Sequence, residues 1–203
     1  DETLIVFTSD QGFAWGQHGF RHKFGPYDAC IKAPMMMRLP GLIPAGTVCD
    51  APIGGQDVPP TFLSLIGMEQ PWEMHGHNMT PLLIDPQAQW DHPLMLENTR
   101  YCFGEYTDVG CGEAEGGIPW WVFLRREKHK YIRWLVPGEI EEMYDLEADP
   151  EELENLALEP DHHTLLAELR QAAIDELRRT EAGMVNNLPP VMVLTKEQLL
   201  GGP

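Results

Sequence analysis

The sequence predicts an α/β chain in which part of a parallel or mixed sheet with helices is followed by a small C-terminal antiparallel sheet with a packed helix. Three observations carry this. Thr3-Leu4-Ile5-Val6-Phe7 is an unbroken apolar, β-branched run ending in a polar turn, the pattern of a buried strand. From residue 93 onward the apolar runs are shorter and closely spaced, as in an antiparallel meander. Finally, Leu165, Leu166, Leu169, Ala173 and Leu177 recur along one helical stripe.

In chain order, residues 3 to 8 and 34 to 38 read as strands of a parallel sheet, separated by a loop from 9 to 33. Asp57 is placed to cap a helix with Pro59 and Pro60 near its first turn and Gly67 as its stop. That helix is expected to turn Phe62, Leu63, Leu65 and Ile66 toward the sheet. A Pro-, Gln- and Trp-containing connection spans 69 to 92. The meander then takes Pro93-Leu94-Met95-Leu96, Trp120 to Leu124 and Lys130 to Leu135. Gly110 to Gly117 reads as an acidic connector, with a substrate-selecting rim loop as the other reading. Asp149-Pro150-Glu151-Glu152 carries the cap, first-turn Pro and first-turn acids of a short helix. A long helix covers about 161 to 181, and the tail from Met184 to Pro203 looks extended. The resulting division is 1–90, 91–183 and 184–203.

The 32 Asp and Glu residues outweigh 14 Lys and Arg, leaving a net charge of −18. Residues 139 to 182 alone hold 15 acids against Arg170, Arg178 and Arg179, which reads as a solvated helical face. The balance excludes nucleic acid as a partner, because phosphate contacts need clustered Lys and Arg. No apolar run approaches the roughly 18 residues that span a bilayer. Four cysteines are too few for a disulfide scaffold and form no zinc-type pair; a Cys102–Cys111 bridge would fit an exported protein. His75 with His77, and His162 beside His163, lack neighbouring acids or cysteines in a metal-ligand pattern and read as structural or surface residues.

The chemistry-bearing stretch is Thr8-Ser9-Asp10-Gln11-Gly12, followed by Gly16-Gln17-His18-Gly19 and Lys23. It directly follows the first strand, and the C-terminal ends of strands are where open α/β sheets hold ligands. Asp10 and Gln11 set a carboxylate beside an amide carbonyl, both hard oxygen donors suited to Ca²⁺ or Mg²⁺. Lys23 is a mobile point cation for an anionic group next to that metal. An ordinary turn explains Asp-Gln-Gly taken alone; the wider pattern does not reduce to one.

Residues 3 to 41 resemble the sulfatase family of the alkaline phosphatase superfamily, through Asp10-Gln11-Gly12, Gly16-Gln17-His18-Gly19, Lys23, Tyr27 and Pro34 to Gly41. Gln56-Asp57-Val58-Pro59-Pro60-Thr61 is similar to the family's Asp-x-x-Pro-Thr helix start. Lys130-Tyr131-Ile132, Glu142-Met143-Tyr144-Asp145-Leu146, Asp149-Pro150-Glu151-Glu152 and Asn155-Leu156 resemble its C-terminal signature. The resemblance implies an alkaline phosphatase-like sheet, Asp10 and Gln11 as metal ligands and Lys23 as a catalytic residue contacting the sulfate. It implies Ca²⁺, with Mg²⁺ as the other candidate, and a sulfated small molecule or carbohydrate as substrate. Small aryl or alkyl sulfates stay open.

One element of the family pattern is absent. Sulfatases form a formylglycine from Cys-x-(Pro/Ala)-x-Arg, and none of Cys30, Cys49, Cys102 or Cys111 stands in that motif. The chain, which opens without Met and enters a strand by residue 3, is therefore read as the C-terminal part of a longer enzyme. The formylglycine and further metal-binding acids are expected in the missing N-terminal half, itself the partner of this one. Compartment is undecided, since an export or periplasmic signal would lie there too. His18 belongs to the family pattern and is expected to make a structural hydrogen bond. His22 is a candidate substrate contact, with a ring suited to proton transfer. Two other functions stand beside the sulfatase: a phosphonate monoester or phosphodiester hydrolase of the same superfamily, and a non-catalytic binding or structural module.

Overall fold

The structure, a computed structural model, describes residues 2–99, 120–192 and 194–201; the 110–117 connector, Cys102 and Cys111 lie outside them. Strand β1 (Ile5–Thr8) pairs with β4 (Met35–Arg38). Their pairing is antiparallel, from Ile5↔Arg38 to Thr8↔Met35, where the sequence suggested two strands of a parallel sheet. The segment between them explains this. It holds the hairpin β2 (Ala14–Trp15) and β3 (Arg21–His22), a 3₁₀ turn at Gln17–Gly19 between them, and the one-turn helix α1 (Asp28–Ile31). A parallel return needs a long crossover, and none is present. Ile5, Phe7 and Met36 are 54%, 59% and 60% exposed, so this strand pair is not covered by the described residues.

Helix α2 (Val58–Leu65) follows a 3₁₀ turn at Gly55–Asp57 and stops at Gly67, whose φ of 69° is left-handed. The burial differs from expectation. Ile66 is exposed and Phe62, Leu63 and Leu65 are half-buried, while Pro60 and Thr61 are buried. The cause is that α2 packs beside α3 (Thr80–Ile84) instead of on a sheet. The Thr61 hydroxyl donates to the Asp57 carbonyl at 2.6 Å and accepts from the Met79 amide at 2.9 Å. The Asp57 carboxylate turns back to the Gly54 and His77 amides, at 2.8 and 2.7 Å, and makes no side-chain cap to α2.

The meander is present and gains a fourth strand. β5 (Leu94–Asn98), β6 (Trp121–Arg126), β7 (His129–Trp134) and β8 (Glu142–Asp145) form an antiparallel sheet in sequence order. Helix α4 (His163–Arg179) covers one face, where Leu166, Leu169 and Ala173 meet Leu124, Tyr131 and Met143. On the opposite face Trp121, Phe123, Ile132, Trp134 and Tyr144 pack on Tyr27, with Phe20 and Ile31 beside them. Side chains alternate across a strand, so the unbroken apolar run Trp121 to Leu124 reflects a sheet covered on both sides. Its second cover is the loop that carries Lys23.

Residues 149 to 152 form a turn, not the expected short helix. The Asp149 carboxylate accepts from the Glu154 amide at 2.8 Å, and Glu152 has a φ of 57° that aims its side chain inward. Asn155 then joins neighbouring segments, accepting from the Met143 and Ala157 amides and donating to the Glu141 carbonyl, each at 3.0 Å. Beyond α4, a 3₁₀ turn at Gly183–Asn187 brings Met184 against Val122, Leu135 and Leu177. A bridge pairs Ile140 with Met192, and the short helix α5 (Lys196–Leu200) starts at a Thr195–Gln198 capping box. Among the described residues no helix is long and apolar enough to cross a membrane.

Candidate active site

Asp10 stands two residues beyond the end of β1, and Lys23 directly follows β3. The fold brings them together: Lys23 Nζ lies 2.8 Å from Asp10 Oδ2. Their side chains are 39% and 73% exposed, so the pair opens to solvent. The hydrogen bond from Lys23 holds the Asp10 carboxyl below the usual carboxylate range, which keeps it ionised and able to bind a cation. Gln11 is half-buried beside it, and its backbone carbonyl accepts from the Ser9 hydroxyl at 2.8 Å.

Gly12 completes the motif for a steric reason. A Cβ there would sit 2.5 Å from the Ala29 carbonyl oxygen and 3.0 Å from that of Lys32. The Asp10–Gly12 segment therefore rests directly on α1. Lys23 reaches the same helix through Phe24 to Tyr27. The Phe24 carbonyl accepts from Trp121 Nε1 at 2.8 Å, and the buried Tyr27 precedes α1.

His18 has the structural hydrogen bond expected of it. Its ring stacks on Tyr27 with centroids 3.7 Å apart, and Nε2 is 3.0 Å from the Glu151 carbonyl. His22 is exposed with a φ of 74°, its ring edge-on to Phe13 at 5.4 Å. It neighbours Lys23 in the chain, and its ring packs against Phe13.

The donor set fits an oxygen-loving divalent ion only in part. Asp10 and Gln11 are hard oxygen donors, but Ca²⁺ takes six to eight. Among the described residues no group of three or more His, Cys, Asp or Glu side chains is arranged to hold a metal. The remaining ligands would have to come from elsewhere.

Reasoning from the sequence singled out Lys130 and Glu152 as motif letters but not as one buried cluster. Lys130 Nζ lies 2.9 Å from Asp28 Oδ1 and 2.6 Å from Glu152 Oε1, and both Lys130 and Glu152 are buried. The available signal was a lysine at the head of the strand run Tyr131-Ile132, because a buried ammonium requires anionic partners.

The model of the family described as N-sulphoglucosamine sulphohydrolase, C-terminal, matches residues 16–180. An N-acetylglucosamine-6-O-sulfatase of Bacteroides thetaiotaomicron is 33% identical over 159 residues, which are 77% of this chain and 26% of that protein. A protein solved in complex with its substrate D-glucosamine-2-N,6-O-disulfate superposes with a TM-score of 0.73 at 29% identity, over 88% of this chain and 34% of the other. The phosphonate monoester hydrolase of Agrobacterium radiobacter shares the fold, with a TM-score of 0.67 at 23% identity over 87% of this chain and 35% of that one. The chain thus spans about a quarter to a third of the length of these relatives. With Lys23, Lys130-Tyr131-Ile132 and the Asp149 to Asn155 block all inside the matched residues, the chain belongs to the sulfatase C-terminal family within the alkaline phosphatase-like superfamily.

Proposed function

We propose that this chain is the C-terminal part of a sulfuric ester hydrolase acting on a sulfated carbohydrate. The observation that carries the reading is the 2.8 Å Lys23–Asp10 pair just beyond β1, in a chain of a sulfatase family. In this reading residues 1–90 complete the catalytic α/β domain, 91–183 form a small α+β subdomain and 184–203 a tail. The formylglycine nucleophile and the other metal ligands belong to the N-terminal half.

Asp10 and Gln11 would hold Ca²⁺, with Mg²⁺ as the alternative ion. Bound there, the ion supplies Lewis-acid stabilisation of charge on the sulfuryl oxygens. Lys23 points an ammonium at the same oxygens and is catalytic to the extent that this charge grows in the transition state. His22 lies next to Lys23 in sequence and serves as a substrate contact on the leaving-group side. A sulfated amino sugar is the favoured substrate, because the 33% identical relative is an N-acetylglucosamine-6-O-sulfatase.

The shared fold of the phosphonate monoester hydrolase supports a second reading, cleavage of a phosphonate monoester at the same residues. The test is to assay the full-length protein with Ca²⁺ against N-acetylglucosamine-6-sulfate, an aryl sulfate and an aryl phosphonate monoester. Sulfate release, falling at least about a hundredfold in Lys23→Ala, is the expected result. Turnover of the phosphonate alone would transfer the site to the second reading. Turnover of none would leave a non-catalytic module.

A further inference from the structure

Lys130 is an unusual residue to find buried near the start of β7. Its side chain is 0% exposed, and its ammonium lies 4.9 Å from the Phe123 ring centroid. Burying an ion pair is seldom worth more than an apolar replacement of similar volume. A buried pair does supply direction, since its partners must occupy defined positions. Those partners come from two separate segments. Asp28 opens α1 and Glu152 lies in the turn after β8, and the Glu152 carboxylate also accepts from the Asp28 backbone amide at 2.6 Å. Lys130 is thus the junction of the sheet, the 149–152 turn and α1.

Helix α1 is also the surface on which both halves of the candidate site rest. Gly12 lies against the Ala29 and Lys32 carbonyls, which places Asp10 and Gln11 relative to α1. Lys23 is five residues before Asp28, and the intervening chain is held by Trp121 at the Phe24 carbonyl and by Glu142 at the Tyr27 hydroxyl. The exposed Asp10–Lys23 pair has little of its own to hold it in place.

We infer that Lys130 is a positioning residue of the Asp10–Lys23 site: its buried ion pairs with Asp28 and Glu152 pin α1 to the C-terminal sheet and so set where Lys23 stands relative to Asp10. This rests on the reading of those two residues as sulfate and metal contacts. The family's Lys-Tyr-Ile and Asp-Pro-x-Glu blocks then act at the active site without touching substrate.

The test uses the full-length protein and the variants Lys130→Met and Asp28→Asn. The Asp28 variant is the milder, because it keeps the Lys130–Glu152 pair and serves if Lys130→Met does not fold. Two readouts are taken: kcat on the sulfate ester that is turned over, and backbone hydrogen exchange by segment. Either variant is expected to lower kcat roughly tenfold to a hundredfold, the scale of an ångström-sized misplacement. In a Lys23→Ala background that cost should shrink to about twofold or less, because coupled residues are not additive. Amides of residues 16–31 should exchange faster while those of α4 stay unchanged. An unchanged kcat, an undiminished cost in the Lys23→Ala background, or faster exchange throughout α4 would each overturn the inference, the last showing a purely stabilising role. Should the wild-type protein cleave no sulfate ester, the functional reading fails and exchange alone decides the pinning. Acceleration confined to 16–31 then supports it, and spread into α4 overturns it.

Discussion

The Tyr27 hydroxyl donates to both carboxylate oxygens of Glu142, at 3.2 and 3.0 Å, across 115 residues of chain. Trp134 Nε1 and the Tyr144 hydroxyl donate to the same carboxylate, each at 2.7 Å. Burial first, and then the Glu142 charge, pushes the Tyr27 and Tyr144 hydroxyls well above their ordinary range, so both stay protonated donors. Glu142→Leu strands three buried donors and is expected to cost about 3 kcal/mol or more. Tyr27→Phe removes one bond of the set and should cost about 1–2 kcal/mol. Urea unfolding followed by tryptophan fluorescence checks both, and equal effects would contradict the shared-acceptor picture.

Gly12→Ala is expected to destabilise the protein, since its Cβ would meet the Ala29 carbonyl oxygen at 2.5 Å. Backbone on both sides leaves no flexible side chain to move aside. Overpacking of this kind costs about 1–3 kcal/mol. A thermal unfolding curve identical to wild type would show that α1 does not bear on the motif as described.

Calcium binding by the 203-residue chain itself is expected to be weak. Asp10 and Gln11 supply too few of the six to eight oxygens the ion takes, and among the described residues no group of three or more His, Cys, Asp or Glu is arranged to hold a metal. Isothermal titration calorimetry should show no tight site. A sub-micromolar dissociation constant would mean that this chain carries a complete metal site.

Stability is expected to fall as pH drops below about 6.5, in part through His77. Its amide donates to Asp57 at 2.7 Å, and its ring stacks on His92 at 3.8 Å with Trp90 edge-on. Burial first, then His92 and Arg179, lower its pKa from 6.5, outweighing Asp57 and Glu176. The unfolded chain therefore binds a proton at a higher pH than the folded one. The His77 contribution is complete above 6.5 and is lost as pH falls toward the depressed folded value. His129, lowered chiefly by burial, acts with the same sign. In denaturant unfolding at pH 7 and pH 5, His77→Phe should show a smaller loss than wild type. An equal loss would place the effect elsewhere.

Much of the architecture was legible because it is local. The β-branched run at 3 to 8, the short strands from 93 onward and the leucine stripe of α4 are periodicities that neighbouring residues create. The α4 stripe emerged on the expected face, with Leu166, Leu169, Ala173 and Leu177 buried. The motif sets Asp10 and Lys23 in one site, while their direct 2.8 Å ion pair depends on the fold of the β2–β3 hairpin between them. The turn at 149–152 was not legible. Asp-Pro-Glu-Glu carries ordinary helix-start chemistry, and only the demand of Lys130 for a second carboxylate draws Glu152 inward and out of helical geometry.

The sequence by itself determined where β1, β4, β5, β6, β7, α2 and α4 form, that the chain is acidic and that an oxygen-donor pair precedes a lysine, because these depend on composition or on side chains a few residues apart. Only the tertiary structure decided that β1 and β4 run antiparallel, that the Lys23 loop covers a sheet face, and that Lys130 joins Asp28 to Glu152. Such contacts, between residues about twenty to a hundred positions apart, are selected by the cost of leaving a charge or a donor buried without a partner. That cost arises only when the packed interior has excluded water, and no local pattern in the chain expresses it.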